Sequence, residues 1–402
     1  MKIYLDYAST SPVDQKVFFA MKPYLNGQSF GNPSSFHLFG QEAKKAIDDS
    51  REKIADFFGC VPEEITFTGS ATEANNTVIF GSVKPFTHLS LKPHLITTAF
   101  EHKSVFMPYK ELESIGAEVT YLPTTKEGFV KVLDVKKALK KNTVLVSIMY
   151  ANNEIGAIQP IAEIGKIIKS ASQKQKSKIY FHTDAVQAVQ YLDCNVKGLG
   201  VDFLTFSGHK IYGPKGIGGF YKRKGVPLFP LIYGGGQERN LRAGTENVSF
   251  IAGLGEAISQ VAQNKQKIVQ IRSLKQRLIS GIIKVVPESK LNGVIKNYLP
   301  NIINFSFKGV EGEAIGLALS QQGIAVSTGS ACEAQDLKPS RSLVALGLGP
   351  EDTHGSIRIS IGKFTTEKEV DKFLKVFPIV IARLRKISGH KATKNRKLIT
   401  YN

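Results

Sequence analysis

Apolar residues recur along this chain in two patterns that alternate. Stretches such as Phe39–Phe58 and Ile161–Ser172 repeat them at helical spacing, while Leu95–Ala99 and Val144–Tyr150 are short continuous apolar runs. Helical stretches that alternate with short apolar runs are typical of an α/β protein. We therefore predict an α/β fold for most of the chain.

The order of the predicted elements changes after a long helical stretch over Phe250–Ile283. Beyond it the pattern predicts three strands and two helices, at Ile302–Phe307, Ile324–Ser327, Ile357–Ser360, Glu313–Gln322 and Glu367–Lys386. This order predicts a smaller α+β domain at the C-terminal end. We place a large domain at residues 15–260 and assign residues 1–14 together with 261–402 to the small domain.

Composition excludes several classes of protein. The 402 residues are 42% hydrophobic and 22% charged, which is ordinary for a globular chain and not for a disordered or collagen-like one. No apolar run reaches the roughly 18 residues that a membrane helix needs. Because no basic and apolar leader opens the sequence, we expect either a cytoplasmic protein without membrane association or a mature form whose leader has been removed. The three cysteines are widely spaced, so neither a disulfide framework nor a resident metal site is expected.

The chain carries a formal charge of +19, with 53 Lys and Arg against 34 Asp and Glu. Such a surface favours acidic partners or nucleic acid, but it is also what a lysine-rich, solvated surface looks like. The basic charge is densest after residue 390, in a tail that reads as either a frayed terminus or a docking arm.

Three predicted strands run into polar clusters, at residues 152–154, 182–187 and 207–210. Ligands of an open α/β sheet bind beyond the carboxyl ends of its strands. Lys210 follows such a strand, where desolvation can lower the pKa of an amine and make it reactive toward a carbonyl, although a surface lysine is the common case. If the cofactor is pyridoxal phosphate, Asp184 can hold its ring nitrogen and Gln187 its phenolic oxygen. Asp184 is otherwise a cap or a hydrogen-bond anchor.

Two further segments precede predicted helices. The small residues of Thr68–Asn76 suit phosphate binding at a helix N-terminus, or an ordinary N-cap at Ser70 or Thr72. His102 follows a predicted strand, where it either stacks on a flat cofactor or is a histidine satisfied by local hydrogen bonds.

Cys332 lies among small and polar residues, Ser327–Glu333, in what the pattern predicts to be an exposed, mobile loop. An exposed thiol there suits nucleophilic or carrier chemistry, and the alternative is an incidental surface thiol. Cys60 and Cys194 have no comparable setting, and we read them as structural.

In combination these motifs resemble the cysteine desulfurases of the NifS/IscS-like branch of the class V aminotransferase family. The matching stretches span nearly the whole chain: YLDYAST at 4–10, FGNPSSFH at 30–37, TEANN at 72–76, EHKSV at 101–105, ANNEIGAIQP at 151–160, HTDAVQ at 182–187, TFSGHKIYGPKGIG at 205–218, GGGQERNLRAGTEN at 234–247, STGSAC at 327–332 and SIRISIG at 356–362.

The resemblance implies a homodimeric fold type I enzyme that uses pyridoxal 5'-phosphate, with a mostly parallel seven-stranded sheet between helices. The roles that it implies fall to matching positions. Lys210 binds the cofactor covalently, His102 stacks on its ring, and Asp184 and Gln187 contact the ring's nitrogen and oxygen. The cofactor phosphate is held by Ala71, Thr72, Ser207 and His209, and Thr245 reaches the phosphate of the neighbouring subunit. Asn153 and Arg358 orient the substrate, Asn153 also contacts the cofactor, and Cys332 accepts sulfur.

The implied reaction converts L-cysteine into L-alanine and a persulfide on Cys332. The persulfide passes to a sulfur-acceptor protein for iron–sulfur cluster assembly or tRNA thiolation, and Cys332 can share an iron–sulfur cluster transiently; direct nucleic-acid binding is not expected. One alternative is a selenocysteine lyase or another class V pyridoxal phosphate enzyme, such as a cysteine lyase or an aminotransferase. The other alternative is a basic RNA- or partner-binding protein whose cofactor site is vestigial.

Overall fold

The computed structural model describes residues 2–88, 92–175, 178–263, 265–328 and 339–390. The α-helices in these ranges are Gln15–Met21 (α1), Leu38–Phe58 (α2), Ala71–His88 (α3), Lys103–Ser114 (α4), Val132–Ala138 (α5), Ile161–Gln175 (α6), Val196–Leu199 (α7), Val248–Gln263 (α8), Lys265–Val285 (α9), Gly312–Gln321 (α10), Arg341–Ala345 (α11), Pro350–His354 (α12) and Glu367–Ser388 (α13). The strands are Ile3–Tyr4 (β1), Ile65–Thr68 (β2), His94–Thr98 (β3), Glu118–Leu122 (β4), Thr143–Ser147 (β5), Tyr180–Asp184 (β6), Phe203–Ser207 (β7), Gly218–Lys222 (β8), Ser289–Leu291 (β9), Ile302–Phe307 (β10), Ile324–Ala325 (β11) and Ser356–Ser360 (β12).

The central sheet has seven strands in the order β2-β8-β7-β6-β5-β3-β4. Strands β7, β6, β5, β3 and β4 are parallel to one another, and β8 runs antiparallel between β2 and β7. The mostly parallel, seven-stranded sheet that the resemblance implies is therefore confirmed.

Successive residues of the central strands supply opposite faces of this sheet. Leu145 of β5 belongs to the core that α3 and α4 form on one face, and Val146 to the core that α2, α6 and α8 form on the other. Phe203 and Leu204 of β7 divide in the same way. Because side chains alternate along a strand, a strand covered by helices on both faces is apolar throughout, which is why these strands appear in the sequence as continuous apolar runs.

The sequence pattern misplaced the end of β6. The prediction put His182 and Asp184 after the strand, but both residues lie within it. His182 is fully buried. Its burial is tolerated because both ring nitrogens pair with neighbouring strands, Nδ1 with Ser147 Oγ at 2.8 Å and Nε2 with Thr205 Oγ1 at 3.1 Å. Burial lowers the pKa of His182 to about 3, so the ring is neutral. A polar residue that is satisfied across strands looks like a strand end in the sequence.

A second, antiparallel sheet has the order β12-β10-β9. Phe305 of β10 and Phe373 and Phe377 of α13 lie in a second core that forms around it. The N-terminal strand β1 joins this part of the chain through parallel pairing with β11. The predicted helical stretch over Phe250–Ile283 is two helices, α8 in the first core and α9 in the second. The division into domains at residue 260 stays a prediction.

Candidate active site

The carboxyl ends of β2, β3, β5, β6 and β7 surround a cavity of about 260 Å³. Parallel strands end at the same edge of a sheet, so the loops that follow them meet there. The cavity is lined by Ala8, Ser9, Ser70, Ala71, Thr72, His102, Ser104, Met149, Ala151, Asn153, Asp184, Val186, Gln187, Ser207, His209, Lys210 and Arg358. It thus gathers every predicted site residue except Thr245 and Cys332.

One end of the cavity is formed by the start of α3. Ser70 Oγ accepts a hydrogen bond of 3.1 Å from the backbone N–H of Glu73, so Ser70 caps the helix while it also lines the cavity. A Cβ added at Gly218 of β8 would lie 2.8 Å from the backbone nitrogen of Ala71. The absence of a side chain at Gly218 therefore lets α3 begin directly against the sheet. The two predicted roles of this segment, N-cap and anion site, are compatible, because the free N–H groups at the start of a helix favour an anion.

Lys210 ends a short 3₁₀ helix, Gly208–Lys210, that follows β7. Its Nζ donates hydrogen bonds to the backbone oxygens of Ala8 at 2.5 Å and Ser9 at 2.7 Å. Its neighbour His209 pairs through Nδ1 with Thr10 Oγ1 at 3.1 Å. Burial, reinforced by the charge of Lys210, lowers the pKa of His209 to about 4. His209 is therefore a neutral hydrogen-bonding group at physiological pH.

A chain of hydrogen bonds joins Asp184 to His102. Asn75 Nδ2 donates to Asp184 Oδ2 at 2.8 Å and to Ser104 Oγ at 2.9 Å. Ser104 Oγ lies 2.7 Å from His102 Nδ1, and the Ser104 backbone N–H also donates to this nitrogen. Asp184 Oδ1 accepts from the N–H of Val186 at 2.9 Å. Both oxygens of the carboxylate are thus held in place.

Arg358 of β12 is 1% exposed and lies at another wall of the cavity. Its Nη1 donates to the backbone oxygen of Asn153 at 2.9 Å, and its Nη2 donates to Asp6 Oδ1 at 2.8 Å and to Ser9 Oγ at 2.6 Å. Its Nε has no hydrogen-bond partner among the described residues. A buried guanidinium with a donor left over suits the binding of a carboxylate.

The sequence analysis missed the contribution of the N-terminal segment. Ala8 and Ser9 line the cavity, and the backbone oxygen of Ala8 accepts hydrogen bonds from both Lys210 and Gln187 Nε2, the latter at 2.9 Å. Asp6 pairs with Arg358. The motif YLDYAST was the available signal, but nothing in it tells which distant residues it meets. Asn75 and Ser104 were missed in the same way, although both lie in quoted motifs.

Two predicted site residues lie elsewhere. Thr245 is exposed and borders a separate pocket of about 230 Å³, together with Arg242 and Glu246. Cys332 lies outside the described residues, as does the basic tail after residue 390. The roles assigned to both positions stay predictions.

Comparison with known proteins places the chain in a family. Residues 3–373 match the model of the aminotransferase class-V family. The cysteine desulfurase IscS of Dictyoglomus turgidum is 48% identical over 391 residues, covering 97% of each chain. The chain belongs to the cysteine desulfurases of the class V aminotransferase family.

Solved structures resemble the fold as well. A NifS-like protein superposes with a TM-score of 0.89 at 36% identity, over 95% of this chain and 100% of the neighbour. A second structure, described as SspA in complex with cysteine, superposes with a TM-score of 0.78 at 37% identity, over 91% of this chain and 100% of the neighbour.

Cysteine desulfurases depend on pyridoxal phosphate, and the residues around the cavity fit this group. The start of α3 offers N–H groups for a phosphate, and Gly218 lets this helix start lie directly against the sheet. Lys210 supplies an amine for the aldehyde, and Asp184 supplies a carboxylate, fixed at both oxygens, for the pyridine nitrogen. All of these groups border one cavity.

Proposed function

We propose that this cysteine desulfurase takes sulfur from L-cysteine onto Cys332, releases L-alanine and passes the sulfur to an acceptor protein. The observation that carries the proposal is the single cavity that unites Lys210, Asp184, His102 and Arg358 at the carboxyl edge of the sheet. An amine, a carboxylate, an imidazole and a guanidinium around one cavity meet the needs of amino-acid chemistry on a pyridine ring.

Pyridoxal phosphate, when bound, supplies an electron sink for the carbon atoms of an amino acid. Different residues of this chain would hold different groups of the cofactor. Ala71, Thr72, Ser207 and His209 take the phosphate, Asp184 takes the pyridine nitrogen, and Gln187 takes the phenolic oxygen. His209 acts here as a neutral group, because burial lowers its pKa to about 4. His102 stacks on the ring, and Asn153 contacts both cofactor and substrate.

Lys210 would move protons at the substrate through its Nζ. The carbonyl oxygens of Ala8 and Ser9 orient this nitrogen, since both accept hydrogen bonds from it. A proton carrier needs a fixed position within hydrogen-bond reach of the reacting atom. The N-terminal segment therefore serves the lysine by positioning it.

Arg358 binds the substrate carboxylate and Asn153 lies next to it. The backbone oxygen of Asn153 accepts from Arg358 Nη1, which fixes the guanidinium plane. The unpartnered Nε of Arg358 is a donor that a carboxylate can take up. Burial of Arg358 excludes water and strengthens this interaction.

Cys332 is the sulfur acceptor. Its thiolate attacks the sulfur of L-cysteine, an S–S bond forms, the C–S bond breaks, and the electron pair stays with the substrate carbon, which takes up a proton. L-Cysteine and a thiol thus give L-alanine and a persulfide, and no external oxidant or reductant is needed. Cys60 and Cys194 are unsuited, because burial raises the pKa of Cys60 to about 12 and raises that of the fully buried Cys194 further.

The enzyme works as a homodimer. The side chains of Phe18, Phe19, Phe30, Phe36 and Phe39 are exposed, and the rings pair as Phe18 with Phe19 and Phe30 with Phe39, so the N-terminal part of the chain presents apolar surface. Surfaces of this kind mark interfaces between proteins. In the dimer, Thr245 would reach the cofactor phosphate of the neighbouring subunit, which accounts for its exposed position away from the cavity of its own chain.

The acceptor is an iron–sulfur scaffold or a tRNA-thiolation protein, and a cytoplasmic location remains the expectation from the sequence. The net charge of +19 supports an acidic acceptor surface.

The test is incubation of the purified enzyme with L-cysteine and a reductant, followed by identification of the carbon product. We expect L-alanine with sulfide. Pyruvate would instead indicate a lyase, and a keto acid with a consumed amino acceptor a transaminase. Cys332→Ala should bind the cofactor and lose alanine production, whereas Cys60→Ala, the matched control, should keep both.

A further inference from the structure

Asn75 lies in the second turn of α3 and joins two groups of the site, Asp184 directly and His102 through Ser104. It is fully buried, with 0% of its surface exposed. Its Nδ2 makes two hydrogen bonds, to Asp184 Oδ2 at 2.8 Å and to Ser104 Oγ at 2.9 Å. Its Oδ1 has no hydrogen-bond partner among the described residues.

A buried amide oxygen without a partner destabilises the folded protein. A residue that served packing alone would be better replaced by an apolar side chain of the same size, because that change removes the unsatisfied oxygen. The feature that an apolar residue cannot supply is the pair of N–H donors. These donors point to the carboxylate of Asp184 and to the hydroxyl that contacts His102.

The second donor also sets the state of His102. Because Ser104 Oγ accepts from Asn75, its own proton is available for His102 Nδ1, 2.7 Å away. The Ser104 backbone N–H donates to the same nitrogen at 3.1 Å. His102 Nδ1 therefore acts as an acceptor, and the neutral ring carries its proton on Nε2.

We propose that Asn75 is a positioning residue that locks Asp184 and the Nε2-protonated form of His102 in a common geometry for the cofactor ring. The inference rests on the proposed function. Since α3 also supplies the phosphate end of the cavity through Ala71 and Thr72, a single helix fixes both ends of the cofactor. The helix start holds the phosphate, and one turn later Asn75 holds the carboxylate that meets the ring nitrogen.

The decisive variant is Asn75→Asp, which keeps the size of the side chain and replaces the donors by a titratable group. The titratable groups connected to this position are Asp184 on β6, His102 before α4 through Ser104, and the buried Glu101, whose charge interacts with that of Asp184. Two carboxyl groups at hydrogen-bond distance do not both ionise readily. At pH 6 the new carboxyl keeps its proton and donates it to Asp184, and at higher pH that proton is lost and the two charges repel.

The experiment titrates the apo-protein with pyridoxal phosphate at pH 6.0 and pH 8.5 and compares the dissociation constant of each variant with that of the wild type at the same pH. The ratio cancels the titration of groups that the substitution does not affect. We expect Asn75→Asp to bind within about threefold of the wild type at pH 6.0 and about 30-fold more weakly at pH 8.5. Asn75→Leu should bind about tenfold more weakly at both values.

Asn76→Asp is the matched control, because it adds the same charge to the next residue of α3. Asn76 Nδ2 donates to the backbone oxygen of Thr72 and not to Asp184. The dissociation constant of Asn76→Asp, divided by that of the wild type, should stay near one at both pH values. Thermal unfolding of each apo-protein separates cofactor positioning from folding, since a purely structural role would lower the unfolding temperature and leave the dissociation constant unchanged.

Equal ratios for Asn75→Asp at the two pH values would overturn the proposal, as would wild-type affinity of Asn75→Leu. If neither variant folds, Ser104→Ala decides, since it removes the group that receives the second donor. About fivefold weaker binding at both pH values supports the proposal, and unchanged binding overturns it. A wild-type protein that fails to bind pyridoxal phosphate would overturn the proposed function itself, which distinguishes the two failures.

Discussion

Arg358 Nη2 donates a hydrogen bond of 2.8 Å to Asp6 Oδ1, and this contact joins residues 352 positions apart in the sequence. The ion pair is nearly buried, with the side chains of Arg358 and Asp6 2% and 17% exposed. Asp6 therefore neutralises the guanidinium and occupies a donor that the substrate carboxylate would use.

We expect Asp6→Asn to lower the KM for L-cysteine by about threefold to tenfold, since the competing charge is removed. The same change should lower the free energy of unfolding of the apo-protein by about 1–3 kcal/mol, because Arg358 loses its charge partner while an acceptor oxygen remains. Steady-state kinetics and urea unfolding measure the two effects. A raised KM would mean that Asp6 orients Arg358 for the substrate instead of competing with it. Asp14→Asn, which breaks the separate pair with Lys363, is the control and should leave the KM unchanged.

Glu154 holds Ser340 and Ser342, which follow the segment of the sequence that contains Cys332. Its carboxylate accepts hydrogen bonds from Ser340 Oγ and from Ser342 Oγ, the latter at 2.7 Å. We expect Glu154→Ala to slow persulfide formation on Cys332 in a single turnover by about tenfold, because two hydrogen bonds to a charged group are lost. Cofactor loading should stay within about twofold, since Glu154 is not among the residues that line the cavity. Persulfide formation at the wild-type rate would contradict this role.

Arg51 and Glu238 form a buried ion pair that ties α2 to the loop before Thr245. The pair is bidentate, at 2.7 and 2.8 Å, and Glu238 also accepts from the backbone N–H of Phe67. We expect Glu238→Ala to lower the free energy of unfolding by about 3–5 kcal/mol, because it leaves the Arg51 cation buried without a carboxylate partner.

The double variant Arg51→Met with Glu238→Leu should recover most of that loss, since no charge then remains buried. Guanidinium unfolding of the single and double variants measures the coupling between the two residues. A double variant as unstable as Glu238→Ala would show that lost packing, not the unpaired charge, is responsible. Asp49→Ala breaks an exposed pair with Lys45 on the same helix and should have no measurable effect.

Lys275 predicts an alkaline increase in stability. Its Nζ is buried and donates to the backbone oxygen of Leu299 at 2.7 Å, and burial lowers the pKa of Lys275 to about 8. The unfolded chain keeps its ordinary value of about 10.4, so between these two values the unfolded state binds more protons than the folded state. Stability therefore rises with pH from about 8 to about 10 on account of this group.

We expect Lys275→Met to be more stable than the wild type by about 2 kcal/mol at pH 7, which is the cost of the buried charge less the lost hydrogen bond. The difference should shrink at pH 9.5. Urea unfolding at both pH values tests this expectation, with the exposed Lys284→Met as control. A constant difference across the two pH values would assign the gain to packing.

The sequence was informative where the cause of a pattern is local. Continuous apolar runs predicted the strands, because a strand covered on both faces needs apolar side chains throughout. The helical spacing of Phe39–Phe58 predicted α2 to within one residue. The polar clusters after the strands predicted which edge of the sheet would carry the site, because parallel strands end together. The same reasoning failed for two residues inside β6, because His182 is satisfied by neighbouring strands and Asp184 by Asn75 of α3.

By itself, then, the sequence determined the α/β class and the family motifs, because each depends on neighbours within a few positions. The tertiary structure alone decided that Asp6 pairs with Arg358, that the oxygens of Ala8 and Ser9 hold Lys210, and that Asn75 joins Asp184 to Ser104. These contacts depend on how separate elements pack in space. No periodicity along the chain records the distance between residues that are hundreds of positions apart.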